Sequence, residues 1–348
     1  MDISASSPFS RCFDYASDQT GRRFQNPLYS VTELFTGSKF RSSLAEVKKF
    51  GQQIVWNAND RRNERERAHQ TSNTGFGSLV DSLMDVFDED PVLTADAALN
   101  FLSAGRDTTA QSLTWTFYSL MRHPSALATL REEINSTFPA PPSSTDNSTK
   151  AQPSTPLLEL SVASLQPTNL PLTASIFNES LRLHPPVPFE IKQCQVDTQL
   201  PDFTFLPKGS IIVWCIWAIN RSQQIWGEDA ECFRPERWLE GVSATATNGG
   251  RDKGVKLITK SPFEFPVFNG GPRSCLGKKM AELMACWVLL QIWRDFDFEE
   301  IFDDAKQNGK REERRSQNSL TLPMEGGLPC HVRLRRDEGP EEASCAGR

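Results

Sequence analysis

The sequence predicts a mainly α protein with a small β-sheet. Three stretches carry that expectation. Thr94 to Arg122 contains no proline and no helix-stopping cluster, so at 1.5 Å per residue it spans roughly 40 Å as one helix. Leu276 to Trp293 places Met280, Leu283, Met284, Trp287, Val288 and Ile292 at helical spacing. Ile191 to Asn220 is β-branched and alternating around Pro201 and Pro207-Lys208-Gly209, the pattern of strands separated by turns.

Composition narrows the class. The chain has 348 residues and 38% hydrophobic content, enough for a sizeable core. Its 38 basic and 44 acidic residues give a net charge of −6, and no basic block points to nucleic acid. The eight cysteines show no Cys-x-x-Cys spacing and read as reduced thiols. The opening residues lack the apolar centre of a signal peptide. The longest apolar run, Ile211 to Ile219, falls short of the ~18 residues that span a bilayer. No membrane span is expected.

In chain order, residues 10–40 are mixed, with Phe24, Leu28, Val31, Leu34 and Phe35 as scattered anchors. A long helix is expected to begin near Ser43, where Ser43 and Glu46 form a capping box and Phe40, Leu44, Val47, Ile54 and Val55 make a stripe. Asp60 to Gln70 reads as a solvated helix end, Thr71 to Gly77 as a loop, and Leu79 to Phe87 as a short helix. The long helix 94–122 carries Ala104-Gly105-Arg106-Asp107-Thr108-Thr109 near its middle. Gly105 costs it about 1 kcal/mol relative to alanine. An ordinary reading of the threonines is bonding back to the helix's own carbonyls.

Pro139 to Pro156 is a Pro/Ser/Thr-rich insert of low complexity, expected to be disordered. Leu172 to Leu183 reads as a helix that ends before Pro185-Pro186. It carries Glu179 and Arg182, three apart on one face. Ala244 to Lys260 reads as a polar loop, Leu320 to Leu334 as a terminal hairpin after a charged loop, and 335–348 as a charged tail.

The richest stretch is Phe268-Asn269-Gly270-Gly271-Pro272-Arg273-Ser274-Cys275-Leu276-Gly277. Glycines and proline impose a turn without a regular ladder. Cys275 then stands at a helix N-terminus, where N–H groups favour a thiolate. The competing reading, a small buried cysteine in a turn, does not account for five fixed positions within ten residues.

This stretch fits Phe-x-x-Gly-x-Arg-x-Cys-x-Gly without a mismatch and resembles the haem-thiolate loop of the cytochrome P-450 family. The 104–109 stretch, Glu179-x-x-Arg182 with its proline-rich connector, and Phe233-Arg234-Pro235-Glu236-Arg237-Trp238 follow in family order. The resemblance implies a P-450 fold over residues 1–335, comprising its C-terminal two-thirds with the N-terminal lobe missing, followed by the tail 336–348. The versions of the motifs look like the fungal group that hydroxylates alkanes and fatty acids.

The resemblance also implies the site. Cys275 would be the axial ligand of haem b, pushing electron density toward O–O cleavage. Phe268, Gly270, Gly277, Ala104 and Gly105 would border the haem, and Arg273 would meet a propionate. Thr108 would hydrogen-bond dioxygen or a water, and Asp107 would relay protons. Glu179, Arg182 and Arg237 would form a buried network. The implied reaction inserts one atom of O2 into an apolar C–H bond of a small substrate. Electrons would come from an NADPH-dependent reductase, which the absence of a flavin or nicotinamide fingerprint requires, with Lys278 and Lys279 as a docking patch. A full-length relative would sit at the cytosolic face of the endoplasmic reticulum. The alternatives are a truncated, non-catalytic haem-binding remnant and a peroxide isomerase or dehydratase. The Asp107-Thr108 pair argues against both.

Overall fold

The structure, a computed structural model, describes residues 7–23, 26, 28–67, 78–88, 90–138, 160–241, 255–301, 313–317, 319 and 321–335. The expected loop 71–77, the low-complexity insert, most of the loop after Ala244 and the tail 336–348 lie outside the described residues, as does Phe24. The chain divides into two compact units, residues 1–111 with 316–323, and residues 112–315 with 324–348.

The first unit is helical. The stretch that reads as mixed in sequence forms α1 (Pro8–Arg23) and α2 (Tyr29–Thr36). Leu28, Val31, Leu34 and Phe35 do not anchor them; all four are exposed. The ordering comes from elsewhere. Phe9 stacks on Phe50, ring centroids 4.0 Å apart, and Phe13 is buried. The Arg23 guanidinium donates to both Glu33 carboxylate oxygens at 2.8 and 2.9 Å. Next, α3 runs Ser38–Arg67, so Ser43 lies inside the helix and the expected Ser43–Glu46 capping box is absent. Ser43 is instead buried. Of the expected stripe, Phe40, Val47 and Val55 are buried and Leu44 is exposed. The capping box in this unit belongs to α4 (Leu79–Val86), where Ser78 accepts from the Asp81 amide and Asp81 accepts from the Ser78 amide.

The long helix α5 runs Pro91–Arg122, three residues longer at its start than its uninterrupted pattern suggested. Asp90 caps it: its carboxylate accepts from the amides of Val92 and Leu93 at 2.8 and 3.0 Å. The Ala104–Thr109 stretch lies in the part of α5 within the first unit. The second unit begins at Ser112.

In the second unit the C-terminal turns of α5 pack with α6 (Pro124–Thr137), α7 (Pro171–Leu183) and α10 (Lys278–Asp295). Leu120, Leu130, Ile134, Ile176, Leu181, Leu289 and Trp293 form the core between them. The apolar pattern of α10 has two faces. Ala285, Cys286, Leu289, Leu290 and Trp293 are buried, whereas Met280, Met284 and Trp287 of the expected stripe are exposed. Glu133 on α6 caps α7 from outside that helix, accepting from the amides of Leu172 and Thr173 at 2.9 and 2.7 Å and from the Thr173 hydroxyl.

Among the described residues the β content is four two-stranded antiparallel ladders. β1 (Phe189–Gln193) pairs with β4 (Ile211–Cys215), setting Ile191 opposite Val213. β2 (Thr198–Gln199) pairs with β3 (Phe205–Leu206) across the Pro201 turn. Residues Ile216–Ile219, expected to be extended, form the short helix α8, and α9 follows at Gln223–Trp226. β5 (Leu239–Glu240) pairs with β6 (Lys256–Leu257), which falls within the expected polar loop. The expected terminal hairpin is corrected: β8 (Cys330–Leu334) pairs with β7 (Phe296–Glu300) directly after α10. Arg131 on α6 fixes that junction, bonding the Phe296 carbonyl and the Asp297 carboxylate.

Candidate active site

The expected site residues fall in both units. In the first, α5 holds Ala104, Gly105, Asp107 and Thr108 in unbroken helix. The Thr108 hydroxyl donates to the Ala104 carbonyl at 2.6 Å. Its proton is therefore directed into the helix, and its oxygen lone pairs can accept from a water. Arg106 bridges two acids, Asp107 at 2.9 Å and Asp14 of α1 at 2.6 Å. Burial pushes the Asp107 carboxyl above the usual aspartate range, against the lowering by Arg106. Asp14 and Arg106 had no role in the sequence reading. The salt bridge spans 92 residues, and no spacing rule finds such a pair.

In the second unit the loop before α10 is built from two short 3-10 turns, Pro266–Phe268 and Gly271–Arg273. Asn269 between them has φ +58° and Gly271 has φ +64°, the left-handed region that glycine enters most readily. A side chain at Gly270 would place its Cβ 2.8 Å from Pro262. The Cys275 amide donates to the Phe268 carbonyl at 2.7 Å, closing the loop. Phe268 packs against the core, and Lys278 lies over its ring at 5.6 Å. Cys275 and Arg273 are exposed, and Gly277 directly precedes α10. Lys278 also meets Glu282 at 3.9 Å.

The chemistry of the donors discriminates among metals. No group of three or more His, Cys, Asp or Glu side chains among the described residues is arranged to hold an ion. One exposed thiol cannot hold iron alone. It would suit an iron already carried by a macrocycle, to which Cys275 would supply a sulfur ligand. The buried Cys286 is the opposite case: burial, then Glu133 and Glu282, push its thiol up to about 12.

Glu179, Arg182 and Arg237 meet in the second unit. Glu179 and Arg182 have no exposed side-chain surface, and Arg237 has 5%. Arg182 donates to both Glu179 oxygens at 2.8 and 2.9 Å, and Arg237 adds a bond at 2.9 Å. Arg182 also reaches the carbonyls of Asn220, Ala230 and Cys232. Two further donors to Glu179 escaped the sequence reading, the Trp238 indole at 2.9 Å and the Arg234 amide at 2.8 Å. Trp238 directly follows Arg237, which was the available signal.

The cytochrome P-450 family model matches residues 22–326. The chain belongs to the cytochrome P-450 family. It is 32% identical over 331 residues to cytochrome P-450 CYP94D109 of Paris polyphylla, covering 93% of this chain and 58% of that relative. It is 37% identical over 206 residues to alkane hydroxylase MAH1 of Arabidopsis thaliana, covering 59% of this chain and 34% of the relative. The P-450 fold is shared with the crystal structure of the cytochrome P-450DA heme domain, at TM-score 0.66 and 20% identity, over 96% of this chain and 62% of that one. The chain thus spans less than two thirds of the length of these P-450 proteins. Among the described residues, no helix is long and apolar enough to cross a membrane.

Proposed function

We propose that residues 1–335 form the haem-thiolate part of a P-450 monooxygenase that hydroxylates an apolar chain, an alkane or fatty acid. The observation that carries the reading is the Cys275 loop, an exposed thiol beside left-handed and 3-10 backbone at the start of α10. The similarity to an alkane hydroxylase supports the substrate class. Haem b, when bound through the Cys275 sulfur, supplies the activation of O2.

The chain's own residues do the rest. Gly271 and Gly277 present backbone without side chains where a flat group must approach, while Gly270 lets the loop lie against Pro262. Phe268 supports the loop from the core side, and exposed Arg273 is available to a propionate. Ala104 and Gly105 leave room on α5. Thr108 accepts a hydrogen bond from a water and holds it in place. Asp107, whose carboxyl stays protonated to higher pH than a free aspartate, can donate a proton and be recharged from solvent. Electrons must come from an NADPH-dependent reductase, with Lys279 and the exposed part of Lys278 as candidate contacts.

The test is the carbon-monoxide difference spectrum of the reduced chain supplied with haem. Wild type should give the thiolate signature and Cys275→Ser should lose it, while Cys194→Ser and Cys286→Ser keep it. A signature that survives in Cys275→Ser rules out this loop as the ligand.

A further inference from the structure

The first unit holds a cavity of about 680 Å³ between α3, α4 and the first turn of α5, within the ~300–1,000 Å³ of small-molecule sites. It is separate from the oxygen-handling stretch. Val92 and Ala104 are both on α5, and their separation of 12 positions corresponds to roughly 18 Å of helix.

The lining has two kinds of surface. Val55, Trp56, Met84, Pro91 and Val92 supply the apolar part. Trp56 is 62% exposed and Val92 58%, whereas Met84 is buried and closes the floor. Lys49, Gln52, Gln53 and Asn59 supply the polar part, and no carboxylate lines the cavity. Lys49 forms no ion pair with the described residues. Of the four acids between Met84 and Pro91 in sequence, Asp85 and Asp90 are engaged. Asp85 pairs with Arg62 at 2.9 Å, and Asp90 caps α5. Lys49 is the one charged side chain of the lining, about two helical turns along α3 from the indole.

We propose that this cavity binds an amphipathic carboxylate, its chain against Trp56, Met84 and Val92 and its head group at Lys49. Apolar burial supplies the driving force, and Lys49 with its neighbouring amides selects an anion over a cation. The site would bind a fatty acid as an effector or reserve, apart from the residues assigned to catalysis.

The experiment is calorimetric titration of the full chain with dodecanoate below its micelle-forming concentration, with dodecyltrimethylammonium as the charge control. Wild type should bind dodecanoate saturably and the ammonium more weakly. Lys49→Glu should weaken dodecanoate about tenfold, the scale of reversing one screened contact charge, and should strengthen the ammonium. Trp56→Ala should weaken both ligands. Both side chains are exposed on α3, so the variants keep the fold. Absence of saturable binding in wild type overturns the proposal. Equal affinities in wild type and both variants also overturn it, because any binding would then lie elsewhere.

Discussion

Removing Glu179 should be the most damaging single change to the second unit. Glu179 accepts five hydrogen bonds, from Arg182 twice, Arg237, the Trp238 indole and the Arg234 amide. Glu179→Ala leaves two buried guanidinium groups without their shared counter-charge. Breaking a buried pair costs ~3–5 kcal/mol, and each stranded neutral donor adds ~1–3 kcal/mol. Partial rescue is built in. Arg182 keeps three carbonyl partners, and Arg237 keeps those of Trp226 and Asp229. The net expectation is a loss of at least about 4 kcal/mol, a large share of the ~5–15 kcal/mol that holds a domain together. Urea unfolding of the full chain, followed by tryptophan fluorescence, reads this directly because Trp226 and Trp238 sit at the network. Glu179→Gln should recover part of the loss by keeping shape and one acceptor. Arg234→Ala, whose pair with Asp229 is half exposed, should leave the midpoint unchanged. A Glu179→Ala loss below about 1.5 kcal/mol would refute the reasoning, because it would mean that the backbone carbonyls, with the Asp229 carboxylate 3.4 Å from Arg237, suffice for both arginines.

The remaining predictions follow from single contacts. Thr108→Ala should retain haem while more reductant is diverted to hydrogen peroxide; an unchanged ratio of product to NADPH consumed removes Thr108 from the mechanism. His184 lies flat on Trp115 with centroids 4.0 Å apart, and burial, then Arg221 and Arg182, push it down to about 3. Its unfolded form takes up a proton near pH 6.5 while the folded form resists, so stability is complete above that value and falls as pH drops toward 3. From pH 7 to 4.5 the loss should be about 2–3 kcal/mol, and His184→Phe should flatten that slope in pH-dependent unfolding. In the native chain, iodoacetamide should label exposed Cys275 and spare Cys286, as read by peptide mass spectrometry. Equal labelling would contradict the burial of Cys286. Glu133→Ala should lower stability by about 2–3 kcal/mol, because the α7 amides lose their acceptor inside the core; a melt identical to wild type would show that water takes its place.

What the sequence made legible was mainly local. The helices at 79–86, 91–122 and 171–183 follow from uninterrupted periodicity and from proline boundaries. The Cys275 loop follows from glycine and proline chemistry over ten adjacent residues. Long-range pairings were hidden. Nothing local joins β8 to β7 across about thirty residues, or Glu133 to the α7 amides across 39 and 40. The opening helices were missed because α1 offers only a short apolar face, Phe9, Phe13 and Ala16, among polar residues, and the apolar residues of α2 are not buried. Leu28, Leu34 and Phe35 face solvent, while order comes from the Arg23–Glu33 pair and the Phe9–Phe50 stack. Ser43 misled in the other direction. A capping signature inside a longer helix carries no stop or start when the helix already has its first turn at Ser38.

The Glu133 cap also bears on how the chain can vary. Residues 138–170 join α6 to α7, and the carboxylate of Glu133 holds the two helices together independently of what runs between them. The entropy of closing such a connection grows only with the logarithm of its length, about 0.6 kcal/mol per doubling. Length change between Phe138 and Leu160 should therefore be tolerated, because it leaves the Glu133 cap and the buried Leu165 and Leu170 in place. A single residue added within Pro171–Leu183 is different in kind. It would rotate one end of α7 by about 100° relative to the other, so that Glu133 and the arginine network could not both be engaged.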